Sequence, residues 1–211
     1  MPLGDSITEG VNGGYRNVLY SDLNALGCGV NYVGSRFDQF AEVSDKDHEG
    51  HPGYSIGDIG RELQPWLAGY SPDYVLLMIG TNDIASWSVK SGAEVAADQA
   101  ALIDQIQQQR PNAWIIVASI PPISAKATPP NNVDRAQLGR DYNAAAKNRI
   151  DARIAAGQKV RWADVSATLT VADLYDGVHP TQEAHARVAH VWRQALQGVV
   201  SCSGVITSCA P

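Results

Sequence analysis

Short apolar runs alternate along the chain with longer stretches in which apolar positions recur at helical spacing. Runs of strand length fall at 1–4, 30–35 ("VNYVGS"), 73–80 ("DYVLLMIG"), 113–119 ("AWIIVAS") and 159–165 ("KVRWADV"). Between them the period lengthens. Residues 15–26 place Leu19, Leu23 and Leu26 on one face, with Gly27 as the stop. Residues 93–109 and 134–156 are rich in Ala, Gln and Arg and favour helix. The stretch 182–197 carries Ala184, Val188, Val191 and Ala195 as a stripe, with Thr181 as N-cap and Glu183 in its first turn. A strand period that repeatedly gives way to a helix period marks βαβ units around a parallel sheet. The pattern predicts a three-layer α/β/α sandwich on a five-stranded parallel sheet, in the flavodoxin-like order 2-1-3-4-5. The Pro-rich piece at 121–132 reads as a loop after the fourth strand, and no internal boundary divides the chain. Residues 1–211 are expected to form one domain, with 200–211 as a C-terminal tail.

Composition narrows the function classes. The 211 residues are 45 % apolar and 18 % charged, ordinary for a soluble globule with a self-sufficient core. A formal net charge of −6 without clustered Lys and Arg argues against a nucleic-acid surface. No apolar run approaches the ~20 residues that cross a bilayer. The start, "MPLGDSIT", has neither the basic nor the apolar region of a signal peptide, and it begins abruptly for a central strand. It is expected to be the start of a mature chain whose leader has been removed.

Three cysteines add a constraint. Cys202 and Cys209 bracket the tail segment "CSGVITSC", which would fray unless tied down. A disulfide between them would close a small loop and implies an oxidising compartment; two free thiols in a reducing cell are the alternative. Cys28 reads as a small buried hydrophobe.

Two serines compete for a nucleophile's role. "GYSIG" at 53–57 matches the elbow pattern G-x-S-x-G around Ser55, but the upstream "SDKDHEGHP" is polar and broken, unlike a central strand. Ser6, in "GDSIT", follows a short apolar segment and precedes a glycine-rich turn and a helix. As the end of a central first strand it sits where open α/β sheets bind ligands. Ser6 is therefore the expected nucleophile. It needs a base, and the base an orienting acid. "YDGVHPT" supplies Asp176 and His179 three residues apart before the last helix, a spacing that lets the carboxylate turn back onto Nδ1 and leaves Nε2 for Ser6. "GTND" at 80–83 follows the third strand, so Asn82 can aim its amide at a developing oxyanion, and Gly53 can offer a backbone N–H to the same point. A polar turn is the plain alternative for "GTND". Asp5 is expected to anchor the nucleophile turn by hydrogen bonds, and "YR" at 15–16 to help fix the helix beneath it.

Together, "GDSIT", the Gly53 loop, "GTND" and "DGVHP" resemble, in order, the four blocks of the SGNH (GDSL-type) hydrolases. The resemblance implies Ser6 as nucleophile, His179 as base, Asp176 as its orienting acid, and Ser6, Gly53 and Asn82 as oxyanion donors. Within that superfamily the chain is most similar to carbohydrate esterase family 3, the acetyl xylan esterases, on the stretches "MPLGDSITEG", "VNYVGS", "DKDHEGHPGYSI" and "DGVHPT". That likeness implies a secreted, extracellular serine esterase that removes O-acetyl groups from acetylated xylan or xylo-oligosaccharide. It implies a monomer needing no cofactor, nucleic acid or membrane. A GDSL-type lipase or thioesterase on other acyl esters is one rival; a noncatalytic polysaccharide-binding relative is another.

Other patterns carry less. "DKDHEG" at 45–50 imitates the start of an EF-hand loop, but Ile56 stands where the twelfth ligand belongs. A looser structural calcium site on Asp45, Asp47 or Glu49 is left open. His48 and His51 lack zinc spacing. Tyr54 and Trp87 lie in loops placed around the site and are candidates to stack on a sugar.

Overall fold

The computed structural model describes residues 1–86, 90–124 and 133–202. In chain order the elements are β1 (Pro2–Gly4), α1 (Ser6–Glu9), α2 (Gly14–Ala25), β2 (Arg36–Phe37), β3 (Asp47–Gly50), α3 (Ile56–Tyr70) and β4 (Tyr74–Met78). There follow α4 (Thr81–Ala85), α5 (Gly92–Gln109), β5 (Trp114–Ala118), α6 (Arg135–Ala155), β6 (Val160–Ala163) and α7 (Gln182–Leu196). The strands form one six-stranded sheet in the order β2-β3-β1-β4-β5-β6, parallel except for the β2–β3 pair.

Strand periodicity builds the three layers. Along β4 and its extension, Val75, Leu77 and Ile79 face one side of the sheet and pack with α3, α5 and α6. Leu76 and Met78 face the other and pack with Leu19 and Leu23 of α2 and with Val188 and Trp192 of α7. Both faces of the central strands are thus dry, which is why those strands read as unbroken apolar runs.

The parallel strands follow the expected order 2-1-3-4-5, but the second of them is not the expected one. Residues 30–34 run without regular structure, and the position beside β1 is taken by β3, whose Glu49 pairs with Leu3 and Gly50 with Gly4. The polar sequence "DHEG" tolerates this place because its buried side chains are hydrogen-bonded. Glu49 accepts from the Ser35 N–H (2.8 Å), the Ser35 hydroxyl (2.6 Å) and His51 Nε2 (2.6 Å), and His48 Nδ1 accepts from the Gly50 N–H (3.1 Å). Strand length and hydrogen bonding override composition here. β2 adds the sixth, antiparallel edge strand. The helix α3, absent from the expectation, buries Ile56, Ile59, Leu63 and Leu67 although Pro65 interrupts its sequence.

The tail is fastened differently from the expected Cys202–Cys209 bridge. Cys202 is bonded to Cys28 across a sequence separation of 174 residues. The physical reason is packing: α7 lies against α2, which brings the residues after α7 beside the turn after α2. Cys28 is accordingly a half-buried crosslink and no longer a lone apolar filler, and Cys209 lies outside the described residues.

Candidate active site

The parallel strands β1, β3 and β4 end side by side, and the site collects at those carboxyl ends. β1 runs directly into the turn at Asp5, whose Oδ1 accepts the Ile7 N–H at 2.9 Å and so caps α1. Ser6 is the first residue of that short helix. The turn is held from below by Arg16, fully buried in α2. Its Nε donates to the Thr8 carbonyl (3.1 Å) and its Nη2 to the Glu9 carbonyl (2.7 Å) and to Asp38 Oδ2 (3.2 Å). A four-residue helix cannot satisfy its own last carbonyls, and the guanidinium does so for it.

The other half of the site comes from the loop before α7. Asp176 Oδ1 accepts the N–H groups of Val178 (2.9 Å) and His179 (2.8 Å), closing a tight turn that is pinned by a bridge between Leu174 and Pro180. Its Oδ2 lies 2.7 Å from His179 Nδ1, and His179 Nε2 lies 2.8 Å from Ser6 Oγ. The Tyr175 ring stacks on the imidazole at 5.7 Å. Partial burial pushes the Asp176 carboxyl up, but hydrogen bonds from the backbone and ring of His179 and from Val178 outweigh it and hold the group below its ordinary value. A carboxylate kept ionised fixes the ring so that Nδ1 carries the proton and Nε2 faces the hydroxyl.

The third part joins "GTND" to the Gly53 loop. Gly80 precedes α4 at φ 120°, where an added Cβ would come within 2.8 Å of the Tyr142 ring, so this turn requires glycine. Asn82 Nδ2 donates to the Tyr54 carbonyl at 2.9 Å, and Asp83 Oδ2 accepts the Ile56 N–H at 3.0 Å. These two bonds tie the segment just after Gly53, itself at φ 80°, to α4. Ser55 is occupied elsewhere. It caps α3 in a reciprocal capping box with Asp58.

The structure therefore brings Ser6, His179 and Asp176 into one hydrogen-bonded line, and ties Asn82 to the residue that follows Gly53. Tyr54 stands apart from the cleft in front of Ser6: its ring stacks on His51 (4.7 Å), which stacks on Trp66 (4.5 Å), as a wall of the Gly53 loop. Trp87 lies outside the described residues. Asp45 accepts from the N–H groups of Tyr32 and Asp47, while Glu49 is committed to Ser35 and His51. Among the described residues no group of three or more His, Cys, Asp or Glu side chains is arranged to hold a metal ion.

Several contributors escaped the sequence pattern. Arg16 was visible only as half of a dipeptide; its partner Asp38 and the clamp on α1 are tertiary. The segment "SRFDQF" holds both phenylalanines of the chain in otherwise polar surroundings, a signal that could have been read. Two carboxyls at the site are shifted strongly. Burial raises Asp5 to about 7 despite the Ile7 N–H, and burial raises Asp83 to about 6 despite the Ile56 N–H. In front of Ser6 and His179 opens a cleft of about 530 Å³. Its floor includes His48 and His185, which burial and the nearby Arg16 charge lower to about 3 and about 4, so both are neutral rings at pH 7.

This Ser–His–Asp line, set on a three-layer α/β frame, has the arrangement that serine hydrolases use. The chain belongs to the GDSL-like lipase/acylhydrolase family, whose profile matches residues 3–187. It is 30 % identical over 232 residues to a multidomain esterase of Ruminococcus flavefaciens, covering 96 % of this chain and 29 % of that protein's length. The family 3 carbohydrate esterase of Clostridium thermocellum superposes with a TM-score of 0.76 at 30 % identity, with 94 % of each chain covered. An acetyl esterase mutant with acetate ion superposes with a TM-score of 0.79 at 26 % identity, covering 93 % of this chain and 97 % of the other. The chain spans less than two thirds of the length of the curated relatives it matches.

Proposed function

We propose that this protein is an ester hydrolase that removes O-acetyl groups from acetylated polysaccharide, with acetylated xylan as its substrate. The observation that carries the reading is the unbroken line from Asp176 through His179 to Ser6, at 2.7 and 2.8 Å. Ser6 Oγ attacks the acetyl carbonyl while its proton passes to His179 Nε2. The tetrahedral anion rests on the N–H groups of Ser6 and Gly53 and on the second amide proton of Asn82, the first being spent on Tyr54. Collapse expels the sugar oxygen, which takes the proton from His179 and leaves acetyl-Ser6. Water then gives a proton to His179 Nε2 and attacks the acyl group, and collapse releases acetate as Ser6 Oγ takes that proton back from His179. Side chains and water complete this cycle.

Likeness to a family 3 carbohydrate esterase and to an acetyl esterase supports the acetyl and carbohydrate parts of the reading. The Cys28–Cys202 disulfide supports an extracellular location, since such bonds persist in oxidising compartments. The test measures acetate release from acetylated xylan, acetylated chitin and nitrophenyl esters of increasing acyl length, with wild type and Ser6→Ala. Release from xylan is expected to exceed release from chitin, to fall steeply beyond the acetyl ester, and to vanish in Ser6→Ala while the fold stays intact. A preference for longer acyl chains would instead make this a lipase- or thioesterase-like enzyme. Full activity of Ser6→Ala would refute the nucleophile.

A further inference from the structure

The cleft beside the site is lopsided. Ser6 and His179 stand in its wall, but Gly53 and Asn82 do not. In acyl transfer through a serine and a histidine, the imidazole returns its proton to the departing alcohol, so the alcohol must lie on the side of the histidine. Across the cleft from His179 stand β2 and the residues after it, and here the surface is unusual. The chain has two phenylalanines, Phe37 and Phe40, and both are exposed, at 68 % and 66 %. Tyr175, on the His179 side, is 59 % exposed. A single exposed apolar side chain is ordinary, but three large rings around one cleft form a patch.

We propose that this cleft is the leaving-alcohol subsite, and that Phe37, Phe40 and Tyr175 form a rim on which a sugar ring of the acylated carbohydrate stacks. A pyranose presents weakly positive C–H groups from its ring face, which match the negative face of an aromatic ring. Its hydroxyls meet polar groups in the same walls, among them Arg36, Gln39 and the His48 ring, whose Nδ1 accepts from Gly50 and whose proton is therefore on Nε2. The cleft of about 530 Å³ falls within the usual range for small-molecule sites. The rim is also held in place. The Phe40 N–H donates to Asp38 Oδ1 (2.9 Å) and Arg16 donates to Asp38 Oδ2, so the guanidinium that fixes the nucleophile turn also fixes the rim. The rim selects the alcohol; the closed corner at Gly53 and Asn82 receives the acyl oxygen.

The inference rests on Ser6 and His179 acting as nucleophile and base, and the experiment separates the two. Acetate release is measured on an O-acetylated xylotriose and on ethyl acetate, whose alcohol is too short to reach the rim. In the Phe37→Ala/Phe40→Ala double variant, the ratio of kcat/KM for the saccharide to that for ethyl acetate is expected to fall about ten-fold or more, chiefly through KM. Phe37→Tyr/Phe40→Tyr should restore it. A ratio within about two-fold of wild type in the alanine variant overturns the inference. So does a wild-type enzyme that hydrolyses ethyl acetate but not the saccharide, which leaves the esterase chemistry standing. Failure on both substrates removes the esterase reading, and the inference with it.

Discussion

Arg16 spends its buried guanidinium on the carbonyls of Thr8 and Glu9 and on the carboxylate of Asp38, so one side chain holds the nucleophile turn and the opposite rim of the cleft. Asp5, one residue before Ser6, shows the opposite economy. Its Oδ1 caps α1, yet complete burial makes its ionised form costly and raises its value to about 7. Between about pH 4 and pH 7 the folded chain therefore keeps a proton that the unfolded chain has released, so stability contributed by this group falls as pH rises through that window. Asp5→Asn keeps an acceptor at the cap and removes the titration. Relative to wild type, the variant is expected to gain stability as pH rises from about 4 to about 7, by up to about 4 kcal/mol for a shift of about three units. Urea unfolding at several pH values measures this, and a stability difference that does not change with pH would refute it.

Among the elements, α3 separates the two serines. Ser55 belongs to a capping box with Asp58, and its hydroxyl is far from idle: it donates to Asp58 Oδ2 at 2.6 Å and accepts from the Asp58 N–H. Ser55→Ala is expected to cost about 1 kcal/mol of stability, as cap removal does, with kcat close to wild type. A loss of turnover comparable to that of Ser6→Ala would reinstate Ser55. The long apolar runs β4 and β5 and the helices α2 and α7 were legible because burial on both sheet faces, or on one helix face, leaves a pattern in the sequence, whereas α5 and α6 were legible from residues of high helix propensity. β3 was not legible. Its stabilisation comes from Ser35 and His51 meeting Glu49, contacts that no local pattern encodes. Helix α3 was obscured by Pro65, and β2 is too short to show a period. At the site, Ser6, Asp176, His179, Gly53 and Asn82 could be named because each lies in a short motif. Arg16, Asp38, Asp83 and the aromatic rim depend on segments distant in sequence that meet only in the folded protein.

For the whole molecule, the Cys28–Cys202 bond matters most. It closes a loop across a sequence separation of 174 residues. The chain-entropy treatment of such a loop gives up to about 5 kcal/mol of stabilisation. Reduction, or Cys202→Ser, is expected to lower Tm by on the order of 10 °C in calorimetry for a domain of this size. Peptide mapping without reductant should recover Cys28 joined to Cys202. A Cys202–Cys209 peptide in its place would overturn the pairing.

The partners at the heart of the site, Ser6 and His179, stand 173 positions apart. Translation must therefore run through the 173 positions that separate them before nucleophile and base can meet. A nascent chain not yet elongated past His179 carries a serine with no imidazole in place to take its proton.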